Sequence, residues 1–421
     1  MDAREERGLV IANTSKIEKI KLGWKVPSQS GNGSYIVNLD HEEPFCTCPD
    51  FEARQQPCKH IHAVEFTIKR QTDKNGAVTE TRTVKVTYGQ DWTAYNDAQT
   101  TEKAQFVWLL ADLCSGIPQP QQNTGRPRLP ISDMVFASVF KVYTGFSSRR
   151  FTCDMAEATD LGCTSVTPHF NSVSNYLAMP ELTPILKSLV EQSATPLRAI
   201  DTDFAVDSSG FATTTYARWF DHKWGKERTR QTWVKTHLIC GVKTHVVTSV
   251  EATPFESADN VQLPALVNAT AKTFSINEVS ADKAYLTRSN LHAVQAVGGT
   301  AYIPFKVDST SRGGTHHKFD GLWARMWHFY SFNHDAFLEH YHKRSNVETT
   351  FSMIKGKFGG SVKAKTPIAQ VNEVLCKVLC HNICVLIQSI HELGIEPHFL
   401  LTSGIKQEKG GCYGEQKRLF S

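Results

Sequence analysis

Residues 341–355 read YHKRSNVETTFSMIK. Wound as an α-helix at about 100° per residue, this stretch places Tyr341, Arg344, Glu348 and Lys355 within an arc of about 60°. Val347, Phe351, Ile354 and Phe358 form a separate apolar stripe about 80° away. One side is therefore expected to pack on a core, while its neighbour presents a single carboxylate among cations and a phenol. Between residues 341 and 365 the cations are Lys343, Arg344, Lys355, Lys357, Lys363 and Lys365, with Glu348 as the only acid. That is the most basic patch in the chain, and it suits a phosphate backbone.

A lone Glu on a basic helix is ordinarily an ion-pair partner. Acids further up the chain give it company. In residues 200–207, IDTDFAVD, the apolar or neutral positions Ile200, Thr202, Phe204 and Val206 alternate with Asp201, Asp203, Ala205 and Asp207, so a strand would carry all three Asp on one face. A buried strand seldom holds that much negative charge unless a cation neutralises it. Residues 279–285, VSADKAY, read as a strand ending in Asp282 at the start of a helix. Carboxylates at strand ends and on a nearby helix can hold two Mg²⁺ about 3.5–4 Å apart, one activating water or a 3′-hydroxyl and the other stabilising the leaving oxygen.

With these residues in view, the sequence resembles the DDE transposases of bacterial and archaeal insertion sequences. Tyr341, Arg344, Glu348 and Lys355 reproduce that group's YREK signature without a gap. Asp207-Ser-Ser-Gly210 resembles its first acidic motif, and residues 281–285, ADKAY, resemble its second, with Ala284 where Gly is usual. The resemblance covers about residues 199–360. It implies an α/β fold: an RNase H-like catalytic core, a mixed sheet flanked by helices. It implies Asp207, Asp282 and Glu348 as catalytic acids binding two Mg²⁺ (or Mn²⁺), Arg344 and Lys355 gripping phosphates near the scissile bond, and Tyr341 on the backbone of the element's end. Asp201 and Asp203 are rivals for the first acid, but only Asp207 precedes a Ser-Ser-Gly turn. The implied activity is cut-and-paste transposition: binding terminal inverted repeats, hydrolysing phosphodiester bonds, and joining freed 3′ ends to target DNA by transesterification. Double-stranded DNA is the expected partner, a homodimer on DNA the expected assembly, and the cytoplasm, on the nucleoid, the expected place. Two alternatives stay open: a domesticated DNA-binding protein without chemistry, and an RNase H-like nuclease without strand transfer.

Towards the N-terminus, residues 45–62 read FCTCPDFEARQQPCKHIH. Cys46-x-Cys48 and Cys58-x-His60 each put two ligands on one short turn, and together they close a tetrahedron of three thiolates and one imidazole. That set suits one structural Zn²⁺ with no open position. His62 competes with His60 as the fourth ligand. The pattern resembles the SWIM zinc finger over about residues 35–66, and the family pattern selects His60. Such modules are implicated in binding DNA or protein.

The remaining features set the frame. A chain of 421 residues has room for several domains and a sizeable core. Lys plus Arg total 46 against 42 for Asp plus Glu, a formal charge of +4, which excludes a basic-tail protein and a strongly acidic disordered chain. The first ten residues, MDAREERGLV, are too polar for a secretory signal, and 11 Cys in such a chain read as metal ligands or core residues before disulfides. No uninterrupted apolar run is long enough for a membrane span; residues 374–390 are broken by Lys377, His381 and Asn382. The expected division is a zinc-finger region (1–114, with strands such as 81–87), a Pro/Gly linker (115–130), a helical segment (131–198), the catalytic domain (199–365), and a helix and tail (366–421). The helical segment carries a candidate helix-turn-helix: a turn at Leu161, Gly162 and Cys163, then a second helix from about Pro168 to Leu177 capped by Thr167. Trp323 and Trp327 read as core residues or as a platform for a flipped base. Residues 309–317, with His316 and His317, read as a flexible loop, and Cys376, Cys380 and Cys384 as small core residues on the last helix.

Overall fold

The computed structural model describes residues 3–28, 33–39, 44–72, 78–82, 91–125, 127–213, 233–254, 257–312, 319–397 and 399. The chain divides into two compact units, Met1–Asp91 and Trp92–Ser421.

In the first unit a helix α1 (Ala3–Thr14) precedes a four-stranded antiparallel sheet, β1 (Glu18–Ile20), β2 (Gly23–Pro27), β3 (Ser34–Asn38) and β4 (Phe45–Cys46), in that order. Two short helices follow, α2 (Pro49–Arg54) and α3 (Lys59–Thr67), then a hairpin, β5 (Ile68–Thr72) with β6 (Val78–Arg82). The expected strand at 81–87 therefore lies partly in β6, and residues 83–87 fall outside the described residues. Gly23 begins β2 at φ 129°, where a Cβ would run into the Val37 carbonyl of the neighbouring strand. A small core of Ile11, Trp24, Val26, Val37, Phe51, Ile61 and Val64 closes around the cysteines.

The second unit opens with helices α4 (Trp92–Ser115), α5 (Ile131–Thr144), α6 (Phe151–Asp160), α7 (Phe170–Leu177) and α8 (Leu182–Ala194). Residues 92–114, expected in the zinc-finger region, form α4 here instead, burying Phe106, Leu110 and Leu113 in the second core. A meander of β7 (Asp203–Ala212), β8 (Trp233–Gly241) and β9 (Val247–Pro254) leads to α9 (Leu263–Ala271), β10 (Glu278–Ala281), α10 (Arg288–Ala296) and β11 (Thr300–Tyr302). The sheet order is β11-β10-β7-β8-β9; β8 is antiparallel to β7 and β9, whereas β10 and β11 run parallel with β7. This is the mixed, helix-flanked sheet expected of an RNase H-like core. Helices α11 (Gly321–Phe332), α12 (His334–Tyr341), α13 (Ser345–Phe358) and α14 (Pro367–Leu393) complete the unit.

One hydrophobic core runs from Ala98 to Phe399, so the helical segment and the sheet share it. Its axis is α14, which touches α4, α5, α8 and the sheet. Among the described residues α14 is the one helix long and apolar enough to cross a membrane, but 78% of its most apolar window is buried inside the protein. The polar residues that interrupt it are all engaged. Lys377 Nζ donates to the carbonyls of Phe358, Gly359 and Ser361 at 2.6–2.8 Å, taking up the open end of α13. Glu373 accepts from the Lys363 and Ala364 amides, and Asn382 ties Val247 to Val190 and Ser193. His381 Nε2–H donates to the His245 carbonyl at 2.9 Å. Cys376 and Cys380 are fully buried core residues beside these groups.

The two helices of the candidate helix-turn-helix are α6 and α7, joined by residues 161–169, and the second starts later than expected. Helix α7 begins at Phe170, capped by His169, whose side chain accepts from the Asn171 amide; the Thr167 hydroxyl is turned to Thr159 instead.

Candidate active site and zinc cluster

Strands β7 and β10 are parallel neighbours with Val206 beside Ala281. Asp207 and Asp282 are the next residue on each, so the pairing brings the two carboxylates to one place at the end of β10. Each spends one oxygen locally: Asp207 Oδ1 accepts from the Ser208 amide at 2.8 Å, and Asp282 Oδ1 caps the following 3₁₀ turn through the Lys283 amide at 2.6 Å.

The third carboxylate comes from α13. The expected single helix over 341–355 is in fact two, α12 and α13, joined by a 3₁₀ turn at His342–Arg344. Three residues wound at about 120° rather than 100° advance the phase of Glu348 by about 60°. Arg344, at the end of that turn, reaches both sides of the site: Nη2–H donates to Asp207 Oδ2 at 2.8 Å and Nη1–H to Glu348 Oε1 at 2.7 Å.

The charges register one another. Burial pushes the Asp207 carboxyl above its ordinary range; the Ser208 amide and Arg344 counter this, and Asp282 and Glu348 reinforce it. The Tyr341 phenol is raised by burial and feels Arg344, Asp282, Asp207 and Glu348 together. The guanidinium of Arg344 is held above its ordinary value by Asp207 and Glu348 despite burial. Lys355 donates to Ser209 Oγ at 2.6 Å, two residues along β7 from Asp207, and lies over the rings of Phe211 and Phe351; burial lowers its pKa. Asp207, Asp282, Glu348, Tyr341, Arg344 and Lys355 thus share one region. An all-oxygen donor set in which like charges depress ionisation of the most buried acid suits a hard divalent cation such as Mg²⁺ or Mn²⁺.

The rivals for the first acid serve elsewhere. Asp201 precedes the strand rather than lying in it; fully buried, it accepts from the Lys243 amide and the Thr244 hydroxyl, fixing the β8–β9 turn. Asp203 is on the face of Asp207 but pairs with Lys343 at 2.7 Å. The basic patch also changes character. Lys343 and Arg344 are spent on carboxylates, Lys357 pairs with Glu102, and Lys363 donates to the Gly145 carbonyl, so helical charge counting overstated the cations left for phosphate.

Trp323 and Trp327 donate their indole N–H to the carbonyls of Thr310 and Ser309, both at 2.9 Å; Trp323 is buried edge-on to Phe305. They anchor the start of the 309–317 loop; residues 313–317, with both His, lie outside the described residues. Sequence reasoning passed over a buried group beneath the site. Tyr285, His237 and Asp259 cluster there: His237 lies opposite Ser208 on β8, with Nε2 2.9 Å from Thr253 Oγ1 and Nδ1 3.4 Å from Asp259 Oδ1. Burial, then Asp259 and Asp207, raise the Tyr285 phenol. Nothing in the spacing of these residues announced them, because they come from β8 and from two 3₁₀ turns, Asp259–Val261 and Lys283–Tyr285, that meet only in the fold.

In the first unit, Cys46 at the end of β4, Cys48 before α2, and Cys58 and His60 at the start of α3 are all buried, with ligand atoms within 4.8 Å of one another. His60 Nδ1 lies 3.9 Å from the sulfurs of both Cys46 and Cys58. A tetrahedral zinc with three sulfurs and one nitrogen needs ligand edges of about 3.5–3.8 Å, so the cluster fits with little adjustment. The hydrogen bond between the Cys46 and Cys58 thiols pulls Cys58 down and Cys46 up. A thiolate is the form a metal takes. His62 is turned away to Glu65 at 3.0 Å.

Comparison with known families gives two matches. Residues 35–69 match the SWIM zinc finger and residues 199–383 match the transposase DDE domain, so the chain carries a DDE transposase domain in its second unit behind a SWIM zinc finger in its first.

Proposed function

We propose that this protein is a DNA transposase that cleaves at the terminal inverted repeats of its element and joins the freed 3′ ends to target DNA. What carries the proposal is the convergence of Asp207 and Asp282, from adjacent parallel strands, with Glu348, bound to Asp207 through Arg344. Two divalent ions, Mg²⁺ or Mn²⁺, held by these carboxylates would supply an activated nucleophile and neutralise the leaving oxygen. The chain's own residues align the reaction. Asp207 and Asp282 are fixed by backbone amides, and Glu348 is set by the phase of α13. Lys355, and Arg344 once phosphate draws it from the carboxylates, would meet the negative charge on the phosphate oxygens during in-line attack, and Tyr341 would abut the strand entering the site. In the first step the water oxygen attacks phosphorus and the P–O3′ bond breaks, leaving a 3′-hydroxyl and a 5′-phosphate. In the second that 3′-hydroxyl attacks a target phosphodiester, and the target's own 3′ oxygen departs. The zinc of Cys46, Cys48, Cys58 and His60 holds the first unit in shape for DNA or a partner protein, and joining two ends calls for a homodimer on DNA.

The test is a supercoiled plasmid carrying the inverted repeats that flank the gene, incubated with Mg²⁺ or Mn²⁺. Wild type should nick at the repeats and join pre-cleaved ends to a second plasmid; Glu348→Ala should do neither. Equal absence of nicking in both would establish a binding protein without chemistry, and nicking without joining would establish a nuclease.

A further inference from the structure

Strands β7 and β10 carry two carboxylate pairs, and only one belongs to the active site. Four residues below Asp207 is Asp203, and four below Asp282 is Glu278; Asp203 and Glu278 are register partners. At about 3.3 Å per residue, this lower pair sits some 13 Å down the sheet from the upper one. The 3₁₀ turn spans both. Lys343 reaches down, donating to Asp203 Oδ2 at 2.7 Å and Glu278 Oε2 at 2.6 Å, and Arg344, the next residue, reaches up to Asp207 and Glu348.

Other bonds fasten the same corner. His340 Nδ1 meets Glu278 Oε1 at 2.9 Å, its ring lies flat on Tyr302 at 4.3 Å, and the Ser280 hydroxyl donates to the His340 carbonyl at 3.0 Å. Lys343 and its two acids are each about 70–80% removed from solvent at the side chain. Both carboxylates hold the ammonium charged against the pull of burial.

We propose that Lys343, with Asp203 and Glu278, is a positioning device: it locks the 3₁₀ turn to the two acid-bearing strands and so sets the phase of α13 that delivers Glu348 to Asp207 and Asp282. This rests on the transposase reading of the upper site. Lys343 touches no reacting group and acts through the turn. A side chain that merely anchored a surface helix would need one partner; this one crosslinks the two strands whose next turn of sequence carries the metal ligands. Loss of Lys343 leaves α13 folded on its apolar stripe of Val347, Phe351 and Ile354 but unties the turn before Glu348 from β7 and β10.

The experiment titrates Mn²⁺ into the zinc-loaded full-length chain without DNA, following free Mn²⁺ by electron paramagnetic resonance, with Asp207→Asn defining the site. Lys343→Met should weaken Mn²⁺ binding about tenfold or more with unchanged circular dichroism. Lys343→Arg, which keeps the charge, should restore most of it. Because Lys343→Met strands two acids at this corner, the triple variant Asp203→Asn/Glu278→Gln/Lys343→Met removes all three charges together; it should fold and show the same weakened binding. Plasmid cleavage rates at saturating DNA should fall in step. Wild-type Mn²⁺ affinity in folded Lys343→Met or in the triple variant overturns the proposal. Asp207-dependent Mn²⁺ binding without any cleavage by wild type sinks the transposase reading and leaves the positioning role to the Mn²⁺ comparison. No Asp207-dependent binding in wild type sinks both.

Discussion

Arg344→Ala removes the side chain that, among the described residues, alone bonds both Asp207 and Glu348. The Arg344 and Asp207 side chains are 20% and 18% exposed, and Glu348 is 58% exposed. Breaking a fully buried pair costs about 3–5 kcal/mol, and a half-exposed helical pair about 0.5 kcal/mol. The Asp207 arm, four-fifths buried, should therefore dominate a total of about 2–3 kcal/mol, or roughly 4–6 °C in the melting temperature of a unit this large. The pH dependence has a definite sign. Asp207 already ionises less readily in the folded protein than in the unfolded chain, and loss of the guanidinium pushes it further the same way. The folded state then prefers the protonated carboxyl, so the deficit is absent below the unfolded value and grows as pH rises through the folded one. Differential scanning fluorimetry of metal-free protein should show the deficit shrinking between about pH 7.5 and about pH 4.5. Millimolar Mn²⁺ should raise the variant's melting temperature more than wild type's, because no guanidinium competes for the carboxylates. A deficit equal at both pH values, with equal Mn²⁺ shifts, would refute the claim that Arg344 offsets like charge at this site.

Three further outcomes follow from the packing. Cys58→Ser should abolish the single bound zinc and expose the first unit to proteolysis, since structural zinc contributes roughly 10–16 kcal/mol to folding such modules; metal analysis and limited digestion check this, and undiminished zinc would count against the ligand set. Lys377→Met should cost about 3–5 kcal/mol in denaturant unfolding of the second unit, because three carbonyls at and just after the end of α13 lose their charged donor and buried Glu373 loses a nearby positive charge; a loss below about 1 kcal/mol would mean water replaces it. His381 is depressed from 6.5 to about 4, chiefly by burial, so the unfolded chain takes its proton first and stability is lost as pH falls through that window. This group alone contributes about 3 kcal/mol of that loss. His381→Gln, which keeps a donor for the His245 carbonyl, should flatten the acid limb of a stability–pH curve, and an unchanged limb would assign it to other groups.

What was legible in the sequence was whatever chemistry writes into short spacing. Cys46-x-Cys48 and Cys58-x-His60 close their own cluster, and the alternation before Asp207 and the strand before Asp282 specify β7 and β10. What was not legible depended on partners far along the chain. The helix over 341–355 breaks into a 3₁₀ turn because Lys343 and Arg344 reach different levels of two strands, which no periodicity reveals. The basic patch looked free because Asp203, Glu278, Glu102 and the Gly145 carbonyl lie between 65 and 255 positions away. The boundary at 114 followed a Pro/Gly composition shift, whereas the packing of Phe106, Leu110 and Leu113 assigns that helix to the second unit.

The two carboxylate pairs on β7 and β10 offer an internal comparison. They share strands, register and degree of burial, yet the lower one is saturated: Lys343 bonds both acids, and His340 adds a third contact. The upper one is not. Among the described residues the one cation that bonds it is shared with Glu348, and Asp282 receives no side-chain donor; Asp207 is raised by burial and then by Asp282 and Glu348. Were the upper pair merely structural, a second lysine at the level of Arg344's partners would complete it as Lys343 completes the lower one. Three carboxylates against the Arg344 guanidinium and the Lys355 ammonium still leave net negative charge in a half-buried cleft, a cost that stability alone does not explain. On the proposed function divalent ions would remove that cost, and a phosphate chain that drew Arg344 away would leave the acids to them, so the imbalance that weakens the fold at this point would be the same one that equips it for phosphoryl chemistry.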